Sequence, residues 1–208
     1  MKNEAQIKRL LLLLILVSTI IRGIIASLLE FGNDEVYYWT YALYPDLSHF
    51  DHPPMVGWMI QLFSLDLFFN NEFFIRLSSI LFGGVNTWLI YMIGKKMKDP
   101  ITGWYAALIY TASIYCFIIC GVFILPDTPQ VLFWLISVYL LISVLPGKPG
   151  AEGSNRKIII AGITIGLALL SKYTSVFLWF GAALYIILYN REWLRSKGFL
   201  KCLISNQA

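Results

Sequence analysis

Residues 10–29 read LLLLLILVSTIIRGIIASLL. Arg22 is the single charge in these twenty residues. A helix needs about 20 mostly apolar residues to cross the hydrocarbon core of a bilayer, so the stretch predicts a transmembrane helix. Lys2, Lys8 and Arg9 precede it and give it the outline of a secretion signal. The apolar run exceeds the usual signal core of about 7–15 residues, and no small-x-small cleavage pattern closely follows. The segment is expected to stay in place as the first span.

Composition extends that reading to the whole chain. Its 208 residues are 58% hydrophobic and 13% charged, with a formal net charge of +4 and a mean hydropathy of +0.70. Soluble domains carry about 25% charged residues. Too few charges remain to coat a water-facing surface, which excludes a disordered chain, a free nucleic-acid binder and an ordinary soluble enzyme. Further apolar stretches at 73–93, 101–125, 130–145, 158–170 and 174–189 give an all-α polytopic membrane protein of about six spans. Pro126-Asp127-Thr128-Pro129, the Gly- and Pro-rich loop 146–157 and Ser171-Lys172 separate them. The 158–170 stretch is short, about 20 Å as a helix. Short helices are tolerated where they line a cavity. The three cysteines, Cys116, Cys120 and Cys202, form no disulfide framework or zinc signature.

Charge placement sets the expected direction. With the N-terminus in the cytoplasm, the inner side collects Lys2, Lys8, Arg9, Lys95, Lys96, Lys98, Lys148, Arg156, Lys157, Arg191, Arg195 and Lys197. The outer side collects Glu30, Asp34, Glu35, Asp46, Asp51, Asp66, Glu72 and Asp127, with Lys172 as its lone basic residue. This is the positive-inside pattern of a multi-pass protein in a cell membrane. Residues 55–69 are apolar but for Gln61 and Asp66. A span there would carry the Lys95 cluster outside, so the segment is expected to lie in the outer interface as a helix.

The outer loop 30–54, EFGNDEVYYWTYALYPDLSHFDHPP, holds the chemistry. Asp34 and Glu35 are adjacent carboxylates just past the first span. His49 and His52 are both histidines of the chain, and they flank Asp51. The bland reading is a solvated acidic loop with the aromatic belt common at headgroup level. Further charges favour a site. Arg76, Asp127 and Lys172 fall at the outer ends of later spans, and charges at that depth usually face a cavity or a partner. Carboxylates beside cations suit a substrate with a phosphate and a group to be deprotonated. His49 and His52 with Asp34 could hold a divalent metal, because borderline metals accept imidazole and carboxylate together. No nucleotide-binding glycine loop is present. These residues alone also fit a transporter or flippase-like protein, which keeps charges at broken helices.

Four pieces in chain order carry a resemblance: GNDEVYYW (32–39) followed by FDHPP (50–54), EFFIRL (72–77), PDTP (126–129) and GLALLSKY (166–173). Together they resemble the dolichyl-phosphate-mannose-protein mannosyltransferase-like family, whose bacterial relatives include the aminoarabinose transferases that modify lipid A. All are C-type membrane glycosyltransferases. The resemblance implies that fold, a polyprenyl-phosphate sugar as donor, a lipid, glycan or protein as acceptor, and work on the outer face of a bacterial inner membrane. It implies Asp34 as the catalytic base and Glu35 as its support. It places Asp51 and His52 where the lipid A relatives carry a Glu-Lys pair, and Arg76, Asp127 and Lys172 beside donor phosphate or acceptor. Family members are more than twice this length, so residues 1–208 are expected to be the N-terminal part of a longer domain. An inactive fragment of such an enzyme remains an alternative.

Overall fold

The computed structural model describes residues 3–195. Lys2, Lys197 and Cys202 lie outside the described residues. The described residues form helices and turns, with no strand among them. Helix α1 (Glu4–Leu28) starts on a reciprocal cap: Asn3 Oδ1 accepts from Ala5 N at 3.3 Å, and Gln6 Oε1 accepts from Asn3 N at 3.1 Å. Such caps satisfy amides that the first turn leaves unpaired. Leu12, Leu13, Leu16, Ile20 and Ile24 of α1 are each more than half exposed. A face of that kind is stable against lipid, not against water.

Then come α2 (Asn33–Leu43), α3 (Met55–Ser64), α4 (Glu72–Ile75), α5 (Leu77–Met97), α6 (Pro100–Ala112), α7 (Asp127–Val144), α8 (Ser154–Leu169) and α9 (Val176–Tyr189). Helices α1, α5 and α7 are long and apolar enough to cross a membrane, by length and composition; residues Met55–Ser64 and Tyr173–Tyr189 form shorter apolar helices. Two bundles pack side by side. In the first, Ile7 and Leu11 of α1 meet Tyr91 of α5 and Ala107 of α6. In the second, α7, α8 and α9 share a core of Leu141, Ile158, Ile165, Leu178 and Ile186. Helix α5 joins them by packing on α7. The α2–α3 pair covers one end. Lys95, paired to Glu4 at 2.7 Å, marks the other.

The helices depart from the expected boundaries in four places. The loop 30–54 is half helical, because α2 begins at Asn33 and puts Asp34 and Glu35 in its first turn, where acidic side chains favour the helix dipole. The interfacial helix expected over 55–69 ends at Ser64. Leu65, Asp66 and Leu67 take φ of 53°, 56° and 62°, and Asp66 N donates to the Gln61 carbonyl at 2.7 Å. The two polar residues that interrupt the apolar run meet at this stop, where Gln61 Nε2 donates to Asp66 Oδ1 at 3.4 Å. The stretch 101–125 is not one helix: α6 ends at Ala112 and a π-helical turn, Tyr115–Ile119, follows. The Pro126–Pro129 break is the opening of α7, since proline is tolerated in a first turn whose amides have no partners.

Candidate active site

Three clusters lie at the α2–α3 end. The deepest is an ion pair. Arg76 sits at the kink between α4 and α5 and is 0% exposed; Glu35 is 2% exposed. Arg76 Nε donates to Glu35 Oε1 at 2.8 Å and Nη2 to Oε2 at 2.6 Å. The remaining guanidinium hydrogens reach three carbonyls at the end of α1: Ala26 at 2.8 Å and Leu29 at 2.6 Å from Nη1, and Glu30 at 3.0 Å from Nη2. Glu35 also accepts from Gly32 N at 3.1 Å and Ile124 N at 3.0 Å. All five guanidinium donors and both carboxylate oxygens are engaged. They clamp α1, α2, α5 and the Phe123–Ile124 segment together beneath the site.

Asp34, one residue earlier, is exposed, and its side chain makes no hydrogen bond or ion pair with the described residues. Of the adjacent carboxylates, it alone is free to take a proton. One turn on, the Tyr38 phenol is pushed up to about 12, first by burial and then by the Asp51, Asp34 and Asp127 carboxylates.

Asp51 forms the second cluster. Its Oδ1 accepts from Tyr37 Oη at 2.8 Å and from Tyr41 Oη at 2.7 Å. These two bonds hold its carboxyl below the usual carboxylate range. His49 stacks on Tyr41 with 3.6 Å between centroids, and His52 meets Tyr38 edge-on at 5.5 Å. The imidazoles serve as aromatic partners here. Among the described residues, no three His, Cys, Asp or Glu side chains are grouped to hold a metal ion, so the expected set of His49, His52 and Asp34 is not assembled. The Asp51 bonds carry a prediction. In a Tyr37→Phe/Tyr41→Phe variant the Asp51 carboxyl should titrate higher than in the wild type, followed by the 13C shift of labelled aspartate. The carboxylate's support for the 46–52 turn is present above the ordinary aspartate range and is lost as pH falls through its depressed native value. The variant should therefore lack that pH-dependent support, and an unchanged titration would refute the bonds.

The third cluster links two helix ends. Asp127 opens α7, and Lys172 follows the end of α8, where its amide donates to the Ala168 carbonyl at 3.0 Å. Lys172 Nζ donates to both Asp127 oxygens at 3.0 Å, and Tyr115 Oη donates to Oδ1. A carboxylate at a helix start and an ammonium at a helix end both complement the dipoles. The Lys172 side chain is 31% exposed, and an ammonium has three hydrogens. Two meet Asp127, leaving one for an anion. Beside it lies a mainly apolar cleft of about 560 Å³ between Leu47, Pro53, Pro54 and the Gly166–Leu170 end of α8.

A family profile described as dolichyl-phosphate-mannose-protein mannosyltransferase matches residues 51–205. The chain belongs to this family. The matched region of this mannosyltransferase family member contains Asp51, His52, Arg76, Asp127 and Lys172, while Asp34 and Glu35 precede it. The chain is 27% identical over 160 residues to the lipid A galacturonosyltransferase RgtD of Rhizobium johnstonii, which covers 76% of this chain and 32% of that protein. It is 26% identical over 155 residues to the undecaprenyl phosphate-alpha-4-amino-4-deoxy-L-arabinose arabinosyl transferase of Wigglesworthia glossinidia brevipalpis, covering 68% of this chain and 26% of that protein. The chain thus spans about a third or less of the relatives it matches. No solved structure matches it significantly.

Proposed function

We propose that this chain forms the acceptor- and phosphate-binding end of a membrane glycosyltransferase that moves a sugar from a polyprenyl-phosphate donor to a lipid, glycan or protein acceptor. Residues 1–208 would be the N-terminal part of the transmembrane domain, with 30–54 as the catalytic segment and the helix beginning at Met55 lying at the interface. One observation carries the reading: the Asp34 side chain is exposed and uncommitted while Glu35, Asp51 and Asp127 are each bonded. In this reading the Asp34 carboxylate takes the proton from the acceptor hydroxyl or amine. The acceptor attacks the anomeric carbon, the bond to the lipid phosphate breaks with inversion, and the phosphate leaves with the bonding pair. Lys172, held by Asp127, and His52 stabilise that charge. Arg76 keeps a structural part, orienting Glu35.

The assay is release of polyprenyl phosphate. Membranes bearing the natural gene product, whatever its full length, receive a radiolabelled polyprenyl-phosphate sugar. Label should pass to an acceptor as free polyprenyl phosphate appears. Label that crosses the bilayer with the donor intact would favour a flippase and overturn the reading.

The proposed site faces the periplasm of a bacterial inner membrane, with the N-terminus in the cytoplasm, because Lys8 and Arg9 precede the apolar run of α1 and Lys95, Lys96 and Lys98 follow that of α5. Single cysteines at Ser48 and Ala151, both exposed, test this in a background without native cysteines. Ser48→Cys should react with an impermeant maleimide in outer-permeabilised cells, and Ala151→Cys only after lysis. The reverse pattern would invert the topology.

A further inference from the structure

Arg22 is the one charge in the apolar run of α1, and neither ion pair of the candidate site uses it. It is 0% exposed. Its Nη1 donates to Ser18 Oγ at 3.3 Å within α1, and its Nε donates to the Phe117 carbonyl at 3.4 Å. The guanidinium lies 4.5 Å from the centre of the Phe117 ring. Two glycines leave room for it. A Cβ at Gly83 would stand 2.9 Å from the guanidinium carbon, and one at Gly121 would stand 2.6 Å from Nε.

Phe117 is the middle residue of the π-helical turn Tyr115–Ile119. Its wider register shows in Cys120 N donating to the Tyr115 carbonyl at 3.0 Å and Phe123 N to the Ile118 carbonyl at 3.0 Å. Such turns are rare and sit mostly at functional places, because an ordinary α register makes better bonds. Tyr115, the first residue of this turn, is the one that donates to Asp127. A return to α register would rotate the turn by about 100° per residue of shift and carry that hydroxyl off Asp127.

We propose that Arg22 is a positioning residue: seated on the ring and carbonyl of Phe117, it holds Tyr115–Ile119 in the π register that delivers the Tyr115 hydroxyl to Asp127. A planar guanidinium suits this task, since it stacks on an aromatic face while donating in its own plane. An apolar side chain of similar length keeps the packing and loses both contacts. The effect on turnover rests on the glycosyltransferase reading; the effect on the turn does not.

Cysteine labelling and kinetics test the two halves. In a Cys116→Ser/Cys202→Ser background, Cys120 is 0% exposed and should resist a small maleimide. In Arg22→Met it should label about tenfold faster, because local opening follows the loss of local contacts. A Ser137→Cys reporter, buried between α7 and α8, should stay protected and so exclude unfolding. If both reporters become exposed, Arg22→Lys replaces Arg22→Met, with a smaller increase expected at Cys120 alone. Protection of Cys120 in whichever variant keeps Ser137→Cys protected overturns the proposal. In the kinetic arm, kcat should fall by the same factor in Arg22→Met and Tyr115→Phe, with no further fall in the double variant. Additive losses, or an unmoved kcat with Cys120 exposed, would cut Arg22 from the site. If the wild type transfers no sugar, the functional reading fails while the labelling still decides what Arg22 does.

Discussion

Asp34→Asn is expected to lower sugar transfer by about 10²–10⁴-fold, the usual loss when a general base is removed. Thermal stability and donor binding should stay near those of the wild type. The side chain is exposed and has no partner among the described residues, so the amide breaks no bond in the fold. It keeps the size and most of the polarity of the acid but cannot take a proton. The loss should therefore fall on kcat, because the substitution removes a role made in the transition state and leaves ground-state contacts in place. The measurement is steady-state transfer from a purified lipid donor, with a melting curve on the same preparation. Near-normal turnover in Asp34→Asn would remove it as the base. A melting temperature that fell along with turnover would show that Asp34 supports the fold, and the kinetic loss would then carry no mechanistic weight.

Three of the six expected spans, those that became α1, α5 and α7, were legible because lipid imposes a simple rule of about 20 apolar residues per crossing. The twenty uncharged-but-one residues of 10–29 and the Lys95-Lys96-Lys98 cluster needed nothing more. The order of the acidic and basic motifs was equally open to reading and led to the family. The division of labour within Asp34-Glu35 was not. Adjacent carboxylates look alike in a sequence, and only the fold shows that one meets Arg76 forty-one positions away while its neighbour points free. The Arg76 bonds to Glu35 and to the α1 carbonyls were hidden for the same reason, since a charge near a span end reads the same whatever it meets. The three tyrosines of α2 passed for an interfacial belt; the four-residue spacing of Tyr37 and Tyr41 was the available sign that both could meet one acceptor. Tyr115 carried no sign, because its place depends on a π turn and hydropathy does not register a change of pitch.

Glu35→Gln and Arg76→Met should each destabilise the protein by about 3–5 kcal/mol, the range for removing one partner from a buried ion pair. The cost lies mostly in the group left behind. With Glu35 neutral, the guanidinium keeps its carbonyl bonds but stays charged at 0% exposure, away from water and without a counter-ion. With Arg76 gone, the Ala26, Leu29 and Glu30 carbonyls lose their donor as well, so Arg76→Met should be the worse of the two. Arg76→Lys should rescue little, because one ammonium cannot reach both carboxylate oxygens and three carbonyls. A Glu35→Gln/Arg76→Met double variant should be less damaging than the two single losses added, since it leaves no unpaired charge. It should still fall short of the wild type on account of the orphaned carbonyls. Melting in detergent reads all four. At about 2–4 °C per kcal/mol for a chain of this size, the single losses amount to a drop on the order of 10 °C. Single variants that melt with the wild type would show that Glu35 is released from Arg76 in solution. In that case Glu35, as much as Asp34, would be available as the base.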